Sequence, residues 1–122
     1  MKVLFCKKCK KVVVLLDDAK TPTICCGDEM VELKAGEVDA AVEKHVPVFE
    51  VNGNICNVKV GEVDHPMQDV HYIEWIAIET KNNYQLKKLN PGDKPEASFA
   101  LTDDDEVIAA YAYCNLHGLW KK

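Results

Sequence analysis

Four cysteines near the start of the chain set the tightest limit on how it can fold. Cys6-Lys-Lys-Cys9 is followed, after fifteen residues, by Cys25-Cys26-Gly27. Two thiol pairs at this distance have the spacing of a four-thiolate metal site. A lone Cys-x-x-Cys also marks thioredoxin-like redox motifs, but no strand–helix–strand pattern surrounds this one. A segment of about 30 residues buries too little surface to fold unaided, so a bound metal has to supply much of its stability. Cys25 and Cys26 are adjacent, and neighbouring side chains on an extended strand point opposite ways. Both can face one ion only if the backbone distorts, and Gly27 permits that. A four-Cys set suits iron and zinc alike.

The remainder reads as strands. Val46–Val51, Ile55–Val60, Tyr72–Thr80, Tyr84–Leu89, Ala97–Leu101 and Val107–Tyr113 are apolar or alternating, with Gly, Asn, Asp and Pro clusters between them. No segment has sustained helical periodicity, and short strands separated by such turns predict a mainly β fold, a sandwich. Glu37 to Val42 is the predicted linker, dividing the chain into residues 1–36 and 37–122. Asn52-Gly53 is a predicted hairpin turn. Cys56 alternates with Val58 and Val60, which makes it a core residue. Asp103–Glu106 lacks the glycine and distal Glu of a calcium loop and reads as a solvated turn.

Fifteen Lys and no Arg face twenty Asp and Glu, for a net charge of −5. That balance argues against a nucleic-acid partner. No apolar run approaches the roughly 20 residues of a membrane span, and no signal-peptide pattern is seen. The expectation is a cytoplasmic protein without a membrane partner, in which a count of six Cys points to metal ligation rather than disulfides.

A second constellation involves the end of the chain. Cys114-Asn-Leu-His117 puts a thiol and an imidazole three positions apart, with Asn115 and Gly118 suited to a turn between them. The other three histidines, His45, His65 and His71, fall in one window of 27 residues. Each alone is more simply a surface or core residue. Together with Cys114 and His117 they make five candidate donors, one more than zinc normally takes. Four imidazoles and a thiolate suit a five-coordinate iron with an open sixth position. Spacing alone does not bring the five together.

The order Cys6-x-x-Cys9, Cys25-Cys26-Gly27 resembles desulforedoxin, the small iron module that opens the desulfoferrodoxins. That family has Gly after the second Cys, where this chain has Lys10, which points to altered site geometry or potential. Glu43-Lys-His-Val-Pro47, Val60-Gly-Glu-Val-Asp-His-Pro-Met67, His71-Tyr-Ile-Glu-Trp75, Leu89-Asn-Pro-Gly-Asp93 and Ala109-Ala-Tyr-Ala-Tyr-Cys-Asn-Leu-His-Gly-Leu-Trp120 are similar to two-iron superoxide reductases of the desulfoferrodoxin type. The resemblance runs nearly end to end. It implies an immunoglobulin-like β-sandwich behind a four-Cys iron module, with two irons per chain. One would sit on Cys6, Cys9, Cys25 and Cys26. The other would have His45, His65, His71 and His117 as equatorial ligands and Cys114 as the axial thiolate. Glu43 and Lys44 match the pair that covers the open position.

The implied reaction joins superoxide, one electron and two protons into hydrogen peroxide without releasing dioxygen. The Cys114 thiolate would push electron density onto the metal. Lys44 would attract the anion and order a water for proton delivery. The resemblance also implies a homodimer and a rubredoxin-like electron donor. Three rival readings remain at this level: an electron carrier using only the four-Cys iron, a zinc-stapled binding module, and a dismutase, which would release dioxygen.

Overall fold

A computed structural model describes residues 1–37 and 40–122, and the chain divides into two compact units, residues 1–34 and 35–122. Two residues of the predicted linker, Val38 and Asp39, lie outside the described residues. Among the described residues no helix is long and apolar enough to cross a membrane.

The first unit contains five short strands: β1 (Lys2–Phe5), β2 (Val12–Leu15), β3 (Ile24–Cys25), β4 (Asp28–Glu29) and β5 (Val31–Leu33). β1 is central in an antiparallel sheet of order β2-β1-β5, and β3 and β4 form a separate hairpin. Its core is small: Val3 is fully buried, and Leu4, Cys6 and Met30 form a cluster with Val13, Leu15 and Cys25 against them. So small an apolar cluster fits a unit that leans on its metal site.

The second unit opens with one helical turn, α1 (Val42–His45), where the sequence has no periodicity to announce it. Seven strands follow: β6 (Pro47–Asn52), β7 (Ile55–Val60), β8 (Ile73–Thr80), β9 (Tyr84–Lys88), β10 (Glu96–Ala100), β11 (Val107–Cys114) and β12 (Gly118–Lys121). They form a three-stranded sheet, β10-β7-β6, and a four-stranded sheet, β12-β11-β8-β9. The seven-strand division is that of an immunoglobulin-like sandwich.

One core joins the two sheets, with Cys56, Val58 and Val60 from β7, Ala97 and Phe99 from β10, Ile76 and Ile78 from β8, and Ala110, Ala112 and Cys114 from β11. β7 alternates exposed and buried residues along its whole length, as a strand with one wet face should. Cys56 is fully buried, as expected from that alternation. β8 and β11 are buried on both faces over most of their length. Trp75 of β8 stacks on Tyr113 of β11, with ring centroids 5.6 Å apart.

The β6–β7 hairpin turns on Gly53-Asn54 rather than Asn52-Gly53, because Asn52 pairs with Ile55. Gly53 has φ +60° and Asn54 does not enter positive φ, the pattern of a type II′ turn. The acidic run is more than a solvated turn. Asp105 accepts hydrogen bonds from Thr80 Oγ1 (2.7 Å), Asn83 Nδ2 (2.9 Å) and the Asn82 amide (3.1 Å), fastening the β10–β11 loop to the β8–β9 turn.

Candidate metal centres

In the first unit the two cysteine pairs sit on two tight turns. After β1 the chain folds back on itself: the Lys10 amide donates to the Cys6 carbonyl and the Cys6 amide to the Lys11 carbonyl, both at 2.9 Å. The Cys9 amide points at Cys6 Sγ, 3.5 Å away. Lys10 closes the turn with φ +67°, the left-handed conformation that costs a non-glycine residue about 1–2 kcal/mol. The turn is thus kept despite the missing glycine.

The second turn answers how adjacent cysteines face one ion. Cys25 pairs with Asp28 in the β3–β4 hairpin, leaving Cys26 and Gly27 as the loop. Both have positive φ, +54° and +79°, which is the type I′ pattern. Cys26 itself takes the left-handed conformation, and its Sγ comes to 3.9 Å from that of Cys25. Cys9 Sγ lies 3.6 Å from Cys25 Sγ, and all four sulfurs fall within 4.8 Å of one another.

These spacings suit a metal and not disulfides. A tetrahedron with metal–sulfur bonds near 2.3 Å has edges of about 3.8 Å, whereas a disulfide needs about 2.0 Å. All six cysteines are free. The Cys9 backbone amide, with lesser help from its neighbours, lowers the Cys6 thiol to about 6. The Cys9 side chain, followed by Cys25 and Cys6, pushes Cys26 well up. Four sulfurs this close are all ionised only with a cation between them.

In the second unit four separate elements deliver imidazoles to one spot. His45 ends α1 and is buried, with Nδ1 2.7 Å from the Ala41 carbonyl oxygen. His65, also buried, sets Nδ1 2.7 Å from the Pro66 carbonyl. A carbonyl only accepts, so each Nδ1 carries the proton and each Nε2 presents a lone pair. The two Nε2 atoms nevertheless face each other at 3.1 Å. Facing lone pairs repel unless a cation lies beside both. Adjacent nitrogens bound at about 2.1 Å to one ion would be about 3.0 Å apart.

His117 Nδ1 is 3.1 Å from His45 Nε2 and 3.8 Å from Cys114 Sγ. His71 Nε2 is buried without a hydrogen-bond partner. The four rings form a near-square. Successive centroids, His45 to His65 to His71 to His117 and back, are 4.6, 4.7, 5.1 and 4.8 Å apart, and the His45–His71 diagonal is 6.4 Å. Cys114, fully buried at the end of β11, joins them, its Sγ within 4.8 Å of the donor atoms of His45, His65 and His71. Burial lowers the basicity of His45, His65 and His71, with His65 reaching about 4. All three therefore stand neutral near pH 7, the form a metal binds.

Neighbouring residues hold these donors in place. Asn115 brackets His71: its Oδ1 accepts the Tyr72 amide (2.9 Å) and its Nδ2 donates to the Val70 carbonyl (3.0 Å). Trp120 stacks on His45 at 4.9 Å and donates Nε1–H to the His117 carbonyl at 3.0 Å. Gly61 has φ +84°, and a Cβ there would meet the carbonyl oxygens of Val63, Lys44 (2.7 Å) and Glu43 (2.8 Å). The α1 segment thus lies directly on a residue that must lack a side chain.

Glu43 and Lys44 are exposed on α1. Neither joins the donor ring, but the Lys44 charge further lowers the basicity of His45 and His71. The local sequence gave no hint of the Ala41 and Pro66 carbonyls, because any residue supplies one. Asn115 and Trp120 lay inside the motif, and only the turn-forming role of Asn115 was readable there.

The desulfoferrodoxin family model matches residues 37–122. A desulfoferrodoxin homolog of Archaeoglobus fulgidus is 42% identical over 121 residues, covering 99% of this chain and 95% of the relative. The desulfoferrodoxin of Nitratidesulfovibrio vulgaris is 44% identical over 116 residues, covering 95% and 90%. The crystal structure of the superoxide reductase from Treponema pallidum superimposes with a TM-score of 0.83 at 42% identity, covering 98% of each chain. Likeness of this extent, spanning the four-Cys unit as well as the sandwich, places the chain in the desulfoferrodoxin family.

Proposed function

We propose that this protein is a superoxide reductase, in which superoxide, one electron and two protons become hydrogen peroxide and no dioxygen is released. The observation that carries the reading is the square of four imidazoles beside one buried thiol. His45, His65, His71, His117 and Cys114 would hold the reacting iron. That iron would supply the electron and take the anion. Cys6, Cys9, Cys25 and Cys26 hold a second iron, which stores or relays electrons. The functional division is a four-Cys module of residues 1–36 and a catalytic domain of residues 37–122.

The remaining work falls to side chains. The Cys114 thiolate is an electron-rich donor that favours protonation and departure of product. The carbonyls of Ala41 and Pro66 fix the tautomers of His45 and His65 and make the opposite nitrogens better donors. Lys44, exposed and cationic, draws the anion to the open face of an otherwise acidic chain and orders a water for proton delivery. Glu43, exposed on the same turn, would shield the bound iron in the resting state. The donor is a small reduced iron protein of the rubredoxin type, the assembly is a homodimer, and the site of action is the cytoplasm.

Mixing radiolytically generated superoxide with the reduced protein tests the reading. One peroxide per electron with no dioxygen supports it; dioxygen release means a dismutase and overturns it. Metal analysis separates the other rivals, since two irons per chain are expected and a single colourless zinc would point to a binding module.

A further inference from the structure

Charge is unevenly shared between the two units. Residues 1–34 hold seven Lys against five Asp and Glu, and residues 35–122 hold eight against fifteen, so the net −5 splits into +2 and −7. The excess in the first unit is gathered at the metal turns. Lys7, Lys8, Lys10 and Lys11 surround Cys9 in the chain, and all four are exposed. Cys9 and Cys26 are the exposed sulfurs of the set, whereas Cys6 is buried.

Not every lysine is available. Lys8 is tied down, with Nζ 3.1 Å from the Asp28 carboxylate and 3.2 Å from the Cys26 carbonyl. Lys10 leans over the Phe5 ring at 5.7 Å, which leaves its charge at the surface. No carboxylate pairs with Lys7, Lys10 or Lys11 among the described residues. Lys10 also occupies a strained left-handed position that glycine would fill at no cost, so the cation is retained there at a local expense.

We propose that Lys7, Lys10 and Lys11, flanking the exposed sulfur edge of Cys9 and Cys26, form the docking surface for an acidic one-electron carrier protein. The inference rests on the four-Cys site being a redox iron. In the encounter the reduced carrier loses one electron and the ferric four-Cys site gains it; no bond is made and no proton moves. Complementary charge raises the rate of such encounters by about 10- to 1,000-fold at low ionic strength, and salt removes the advantage. The strongly acidic second unit would repel the same carrier, which concentrates productive collisions on the first.

The test uses the full chain and an acidic rubredoxin as probe, with a basic cytochrome c as the opposite-charge control. Binding is measured calorimetrically on zinc-substituted protein, where no electron can pass, and reduction of the iron-loaded four-Cys site is followed by stopped flow. Lys7→Glu/Lys11→Glu is expected to weaken rubredoxin binding and slow reduction by about tenfold or more at low salt. The salt dependence should flatten as well. Lys7→Arg/Lys11→Arg should behave as the parent. Equal binding and an equal salt slope in the charge-reversed protein, or an equal weakening of cytochrome binding by the same reversal, would overturn the proposal. Peroxide formation by chemically reduced protein should be unchanged in these variants. Its absence in the parent would sink the superoxide reductase reading, and its presence with charge-insensitive docking would sink only this surface.

Discussion

At the scale of single residues, the reacting site depends on which atom of each imidazole is already occupied. His45 and His65 spend Nδ1 on backbone carbonyls, so Nε2 is the nitrogen left to bind. None of this could be read from residue type, because the partners are main-chain oxygens of Ala41 and Pro66. Lys44 is different, since the role proposed for it rests on its charge and its place before His45, both visible in the sequence. Lys44→Ala is expected to slow the second-order reaction with superoxide about tenfold at low ionic strength and to flatten its salt dependence. Pulse radiolysis across a salt series measures both, and unchanged rates would remove Lys44 from the mechanism.

At the scale of elements, the turns place the donors. Gly27 and Gly61 both have positive φ, but their surroundings differ. A Cβ at Gly27 meets nothing within 4 Å, while one at Gly61 runs into three backbone carbonyls of the Glu43–Val63 contact. Gly27→Ala should therefore cost only conformational strain, about 1 kcal/mol, and keep the four-Cys metal. Gly61→Ala should displace α1 and with it His45, lowering metal content at the His/Cys site while leaving the four-Cys site loaded. Separate metal quantitation of the two sites distinguishes these outcomes.

A second element-scale expectation concerns Asp105. Its burial tends to raise its pKa, but hydrogen bonds from Thr80, Asn83 and the Glu106 and Asn82 amides win and hold the carboxyl at about 2, below the ordinary 3.8. A carboxyl lowered by folding stabilises the protein above its unfolded pKa and loses that contribution as pH falls through its folded value. Asp105→Asn should thus lower the melting temperature near pH 6. The gap from the parent should close between about pH 4 and pH 2. Thermal unfolding at several pH values checks this.

At the scale of the molecule, the two units are held together by different means. The sandwich has a core drawn from both sheets, whereas the first unit buries only Val3, Leu4, Cys6 and Met30 and carries a metal site. Chelation that strips the four-Cys metal should unfold residues 1–34 and leave the sandwich β-signal intact, giving two separate transitions in circular dichroism. The sandwich was legible because β7 alternates cleanly and β11 is an apolar run of eight residues, while β8 is largely apolar over the same length. β1, β5 and β12 have four, three and four residues, too few for periodicity to show, and α1 is a single turn. The four-Cys site could be read from spacing because both pairs lie within one small unit. The His/Cys convergence could not, since it needs the ends of α1 and β11, the His65 loop and the Gln68–His71 bridge to meet.

Burial also ranks the sulfurs by how they will age. Hydrogen peroxide attacks thiolates it can reach, and Cys9 and Cys26 lie open to water while Cys114 is sealed. Oxidative wear from the protein's own product should therefore begin at the small N-terminal site, and the sulfur that faces the chemistry should be the last to go.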